Sequence, residues 1–114
     1  MPWYFCVLEF VGGLFLSNGI PHYVQGVSGH WFPSPFGYPP GRGESSPLSN
    51  TLWGFANLAV GVVFLWFFAP RGSEAAVGWI VVALGVLPAA VWLSSYFGRV
   101  RSQHAEKFRA RRRR

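Results

Sequence analysis

Charge is scarce in this chain. Asp, Glu, Lys and Arg make up 12% of its 114 residues, about half the share a soluble domain carries. Cysteine is scarcer still: Cys6 stands alone, which excludes an intrachain disulfide and any multi-cysteine metal site and says nothing about redox compartment. No basic residue precedes Glu9, so the n-region of a secretory signal is missing and the first apolar run is expected to be a retained helix. The four carboxylates include no pair in the central segment that would orient a histidine. Ser45 and Ser46 read as turn and helix cap, and Pro39-Pro40-Gly41-Arg42-Gly43 lacks the lysine and preceding strand of a phosphate-binding loop. No class of enzyme is supported by these residues, and no cofactor is assigned.

What is present is apolar. Hydrophobic residues reach 51% and aromatics 18%, a composition for which water is the wrong solvent. The net charge of +6 comes from one place, because eight of the ten basic residues occupy positions 99–114. A basic pole on a nucleic-acid-binding protein normally belongs to a soluble core with a base-reading element. Neither is visible, so nucleic acid is not an expected partner.

Three apolar segments predict an all-α membrane protein with helices at about 3–20, 47–68 and 75–97, a connecting loop at 21–46 and a basic tail at 98–114. At 1.5 Å per residue the segments are roughly 27 to 34 Å long, enough for a hydrocarbon core of about 30 Å. Pro21 is expected to end the first helix, or to kink it if the helix runs on toward Gly26. Ser46 and Pro47 form a clear start to the second, as N-cap and first helical residue. Pro88 marks a kink within the third. The basic C-terminal residues place that end in the cytoplasm by the positive-inside rule, with the N-terminus outside and the long loop inside. Trp3, Tyr4, Trp53, Trp79 and Tyr96 fall near the expected membrane interfaces.

Within the spans, Glu9 is the one carboxylate, and an intramembrane ionisable group is a functional candidate by default because burial there is costly. Its position two turns from the N-terminus also allows a partly hydrated or protonated group. Asn50, Gly54, Asn57 and Gly61 recur at spacings of four, three and four, placing two amides and two glycines on one stripe. Gly78 and Gly85 make a similar stripe on the third segment, and Gly12 and Gly13 lie a turn after Glu9. Such small residues let helices approach closely. A compact three-helix bundle or an oligomer of bundles follows, with a polar site between Glu9, Asn50 and Asn57 as the sharper alternative.

The loop is rich in proline and aromatics. A connection this long without helix or strand is functional or disordered, and Trp31, Phe32, Phe36 and Tyr38 argue against disorder. It reads as an ordered cap carrying His22, His30, Trp31, Arg42 and Glu44, the last two available to pair with each other or with a lipid headgroup. Both histidines are conceivable haem or metal ligands, although their spacing matches no known ligand pattern. In the tail, Arg99, Arg101, Lys107 and Arg109 are candidates for binding anionic phospholipid headgroups.

The pattern Pro21-His22-Tyr23-Val24-Gln25-Gly26-Val27-Ser28-Gly29, then Phe32-Pro33-Ser34-Pro35-Phe36, Pro40-Gly41-Arg42-Gly43, Ser46-Pro47 and Asn50-Thr51-Leu52-Trp53-Gly54, resembles a group of small bacterial integral membrane proteins without assigned activity. The resemblance covers roughly the first half of the chain and is firmest in the loop. It implies a bacterial inner-membrane location and carries over no site residue. Three functions are compatible with the sequence: an accessory or interaction subunit packing against itself or a larger membrane complex, a homo-oligomeric transporter or channel, and a cofactor-binding membrane enzyme using His22 and His30.

Overall fold

The computed structural model describes residues 2–113. Three helices, α1 (Trp3–Val27), α2 (Pro47–Phe68) and α3 (Ala75–Arg112), account for most of the chain, and all three are long and apolar enough to cross a membrane. A single 3-10 turn, Gly72–Glu74, leads into α3. Two short strands, β1 (Phe32–Pro33) and β2 (Glu44–Ser45), pair antiparallel within the α1–α2 connection.

The first helix runs seven residues further than the expected 3–20, straight through Pro21. Proline removes only its own donor from the ladder, and the stop signal lies beyond it. Gly29 has φ +79°, its N–H donates to Gly26 O at 3.0 Å and the N–H of His30 donates to Gln25 O at 2.9 Å. These are the two bonds of a Schellman motif, with glycine at the left-handed position after the C-cap. His22 is therefore a helix residue, and the connection shrinks to 28–46.

The third helix likewise continues past 97 to Arg112, so most of the basic tail is helical. Its last turns are built from good helix formers and end in Arg109, Arg111 and Arg112, which suit the negative end of the helix dipole. With 38 residues α3 is about 57 Å long and sets the longest dimension of the molecule, 64 Å. It extends well beyond a hydrocarbon core of about 30 Å. The connection, expected to lack strands, holds the β1–β2 pair in the register Phe32↔Ser45 and Pro33↔Glu44. At its exit Ser46 Oγ accepts from the Ser49 N–H at 3.1 Å, with Pro47 opening α2.

α1 is the central helix and packs against both α2 and α3. Gly12 and Gly13, adjacent in sequence, serve different partners: Gly12 lies against Phe64 and Gly61 of α2, and Gly13 against Val82 and Gly85 of α3. The four buried residues of α2 are Asn50, Gly54, Asn57 and Gly61. Their spacing is that of a heptad seam, filled with amides and glycines in place of leucines. The side chains turned outward are large and apolar, among them Phe55, Val62, Trp66, Ile80, Leu87 and Trp92. Buried hydrophobic side chains are few among the described residues: Phe32, Val82 and Val100. In lipid no hydrophobic force draws such helices together, so close backbone contact and interhelical hydrogen bonds must do so.

The seam leaves no room for a side chain. A Cβ added at Gly19 would stand 2.8 Å from Leu58 Cγ and 2.9 Å from Gly54 O, and one at Gly61 would stand 2.7 Å from Leu16 Cγ and 3.0 Å from Gly12 O. Gly19→Ala and Gly61→Ala are each expected to cost about 1–3 kcal/mol through overpacking. Gly98→Ala, where nothing lies within 4 Å, should be neutral or slightly stabilising through helix propensity. Thermal unfolding of the three variants in detergent, followed by circular dichroism, checks this; equal midpoints for all three would contradict the tight seam.

Candidate functional site: a polar node where the helices meet the loop

Buried polar side chains lie along α1 at three levels, and the level nearest the loop is the most elaborate. His22 sits on the face of α1 that meets the start of α2, 3% exposed. Its Nδ1 lies 2.9 Å from Asn50 Oδ1. The amide nitrogen of Asn50 is surrounded by acceptors: Phe32 O at 3.0 Å, Ser45 O at 3.1 Å, Ser45 Oγ at 2.9 Å and Ser46 O at 3.1 Å. That environment fixes the amide orientation, so Oδ1 is the acceptor and His22 Nδ1–H the donor. A neutral imidazole in this tautomer keeps its lone pair on Nε2.

The network continues outward. Ser45 Oγ and Ser34 Oγ are 2.6 Å apart, and Ser34 Oγ accepts from the Phe36 N–H at 3.1 Å. Aromatic rings enclose the imidazole: Phe32 at 5.4 Å, Phe97 at 5.8 Å and Trp53 at 6.5 Å between centroids, all near perpendicular. Phe32 and Phe97 also meet each other at 4.6 Å. One residue from α1, two from α2, one from α3 and one from β1 thus converge on a single point. Trp53, expected at the membrane interface, packs inward here and against Phe36.

One turn deeper, Asn18 Nδ2 donates to Asn57 Oδ1 at 3.1 Å, and Asn57 Nδ2 returns a bond to Trp53 O at 2.8 Å. Ser17 Oγ donates to Val86 O at 3.1 Å, tying α1 to α3. Glu9 stands at the other end of α1, thirteen residues or about 20 Å from His22 along the helix. It is fully buried, and neither carboxylate oxygen has a hydrogen-bond partner among the described residues. Gly78 faces it, and a Cβ added there would lie 2.9 Å from Oε2 and closer still to Pro70.

Glu9, Asn50 and Asn57 therefore do not share a site. Asn57 pairs with Asn18, Asn50 with His22, and Glu9 with neither. His30, grouped with His22 as a candidate ligand, lies on the surface with Nδ1 2.7 Å from Gln25 Oε1, so each imidazole has a separate amide partner. Among the described residues no three His, Cys, Asp or Glu side chains are grouped to hold a metal ion. Arg42 and Glu44 do not pair with each other: the Arg42 guanidinium donates to Gln103 Oε1 at 3.0 Å, and Glu44 lies 3.8 Å from His104 Nδ1. Both reach the extension of α3, to which Tyr96 adds a hydrogen bond to Gly41 O at 2.6 Å. Trp31 is exposed at the surface.

Sequence reasoning missed Asn18, Ser34, Ser45 and Phe97 as members of these networks. Asn18 had a legible signal: Asn18 and His22 lie one turn apart on one face of α1, Asn50 and Asn57 two turns apart on one face of α2, and antiparallel packing reverses the order so that Asn18 meets Asn57 and His22 meets Asn50. The serines had none, because their contacts depend on the strand register.

Comparison with known proteins finds no matching family model, no matching curated protein and no matching solved structure.

Asn50→Ala would leave the His22 donor and several buried oxygens without a partner, an expected loss of about 2–3 kcal/mol. Because Asn50 also carries the loop, limited trypsin digestion should cut after Arg42 faster in this variant than in the parent protein. An unchanged midpoint together with unchanged cleavage would show that the node does not hold the loop.

Proposed function

We propose that this chain is a small multi-pass protein of a bacterial inner membrane that works as an accessory or interaction subunit through its packed helices, alone in oligomers or beside a larger membrane complex. The observation that carries this reading is the closed interior. Glycine backbones meet across both interhelical seams, and of the polar groups between them the asparagines, Ser17 and His22 are spent on one another or on backbone carbonyls. A path lined by Glu9, Asn57 and Asn50 would have to pass the Gly12–Gly61 contact, where an added methyl already meets the facing helix. What the molecule offers to others is its outer surface: wide apolar helix faces, and at one end the loop joined to the basic extension of α3.

In this reading the loop is an ordered cap on the cytoplasmic side, the N-terminus is outside, and the basic residues of α3 meet anionic headgroups. The antiparallel helices put the α1–α2 connection and the extension of α3 at one end, and the turn at Arg71–Glu74 at the other.

A second reading is favoured by Glu9 alone. A buried carboxyl group with no hydrogen-bond partner among the described residues is a recognised mark of proton or ion handling, and an oligomer would bring it further neighbours.

Three measurements test the orientation and separate these readings. In a Cys6→Ser background, a membrane-impermeant maleimide should label Ser73→Cys in intact cells and Ser102→Cys only after permeabilisation; the reverse pattern overturns the orientation. Membranes extracted into native nanodiscs should yield the 12.7 kDa chain in a larger assembly, and a lone monodisperse chain would count against the subunit reading. In liposomes, proton or solute flux above background that disappears in Glu9→Gln would instead establish the transport reading.

A further inference from the structure

Beside the polar node lie two depressions that share a wall. One, of about 440 Å³, is a mainly apolar groove between α1 and α3 whose lining includes Ile20, Val86, Ala90 and Leu93 together with the polar Gln25 and Ser94. The other, of about 770 Å³, is a cleft between the loop and the extension of α3. Phe32, Phe97 and Arg101 line both. The cleft carries Arg42, Arg101, Lys107 and Arg111, against which Glu44 is the one carboxylate, and Glu44 is already beside His104.

We infer that the adjoining groove and cleft bind one molecule of an anionic phospholipid, with an acyl chain along α1 and α3 and the phosphate near Arg101. The charge of the cleft calls for an anion. The groove calls for an apolar chain, and the two adjoin at Phe32, Phe97 and Arg101. From Val86 to Gly98 the groove follows twelve residues of α3, about 18 Å, close to the half-thickness of about 15 Å of a hydrocarbon core. Arg101 then lies where a headgroup lies. A free phosphate ion would make no use of the groove, and a zwitterionic lipid would bring its own cation into a cleft that already has an excess of them.

This goes beyond the general attraction of basic residues to a membrane surface, because it separates residues of like charge. Of the four tail residues that the sequence offered for headgroup contact, Arg101 and Lys107 line the cleft, whereas Arg99 and Arg109 do not. It rests on the reading that these helices lie in a bilayer.

The test uses the full chain in mixed micelles containing equal amounts of phosphatidylglycerol and phosphatidylcholine of the same chain length, with bound lipid counted by native mass spectrometry. One phosphatidylglycerol per chain is expected, retained about tenfold over phosphatidylcholine. Arg101→Gln should lower that retention about fivefold, the effect of one basic residue at a lipid surface, while Arg99→Gln and Arg109→Gln leave it unchanged. Ala90→Trp, at an exposed position facing the groove, should displace the lipid without disturbing the buried seam. Equal losses for Arg99→Gln, Arg109→Gln and Arg101→Gln would overturn the proposal in favour of diffuse attraction. Displacement of the lipid by millimolar inorganic phosphate, with no effect of Ala90→Trp, would overturn it in favour of a plain anion pocket. Failure of the chain to insert into vesicles of either lipid would overturn the membrane reading itself, an outcome distinct from both.

Discussion

The hydrogen bond from His22 to Asn50 joins the two helices that the loop connects, and the amide of Asn50 then holds the loop. Four oxygens converge on its nitrogen, from Phe32 of β1, Ser45 of β2 and Ser46 just after it. Removing the loop from this anchor would also free Phe32 from Phe97, one of the contacts between the α1–α2 connection and α3. One polar pair thus ties together three helices and a connection that has little regular structure of its own. Its shielding by three aromatic rings keeps water from competing for the same donors and acceptors.

The rest of the bundle follows the logic of a chain built for an apolar solvent. Its seams are lined with glycine and short polar side chains, and its large side chains point outward. In water that distribution would be unstable, since burial of apolar area would be lost. In lipid the outward side chains cost nothing, and dispersion between closely spaced backbones becomes the main attraction. Ser17, Asn18 and Asn57 then set the register of α1 against its neighbours at mid-height. Glu9 departs from this economy, because it is fully buried and unpartnered among the described residues, and packing gives no reason for a carboxyl group where an alanine or leucine would serve.

Much of the architecture was legible beforehand. The number of helices, the start of α2 at Ser46-Pro47 and the inward stripe of Asn50, Gly54, Asn57 and Gly61 all followed from spacing and composition, because each depends on residues close together in the chain. Two helix ends were misplaced. Pro21 was weighed as a terminator, whereas the left-handed Gly29 ends α1; the basic segment was read as a tail, whereas contacts from Arg42, Glu44 and Gly41 run along a continuing helix. The polar site was misread for a geometric reason. Glu9 and Asn50 look like members of one intramembrane set in a linear sequence, but antiparallel packing of α1 and α2 sends them to opposite ends. Pairing His22 with Asn50 required knowing that α1 survives Pro21, since a histidine in a loop could not have been placed on the face of α2.

The ring of His22 reports most directly whether the node is formed. Solid-state nitrogen NMR of the chain labelled at histidine, in lipid bilayers, reports directly which ring nitrogen carries a proton. The expected result is a His22 signal with the proton fixed on Nδ1, held there by Asn50 and close in space to the rings of Phe32 and Phe97. A His22 ring that exchanges between tautomers like an exposed histidine, with no contact to either phenylalanine, would contradict the node on which the fold and the placement of the loop depend.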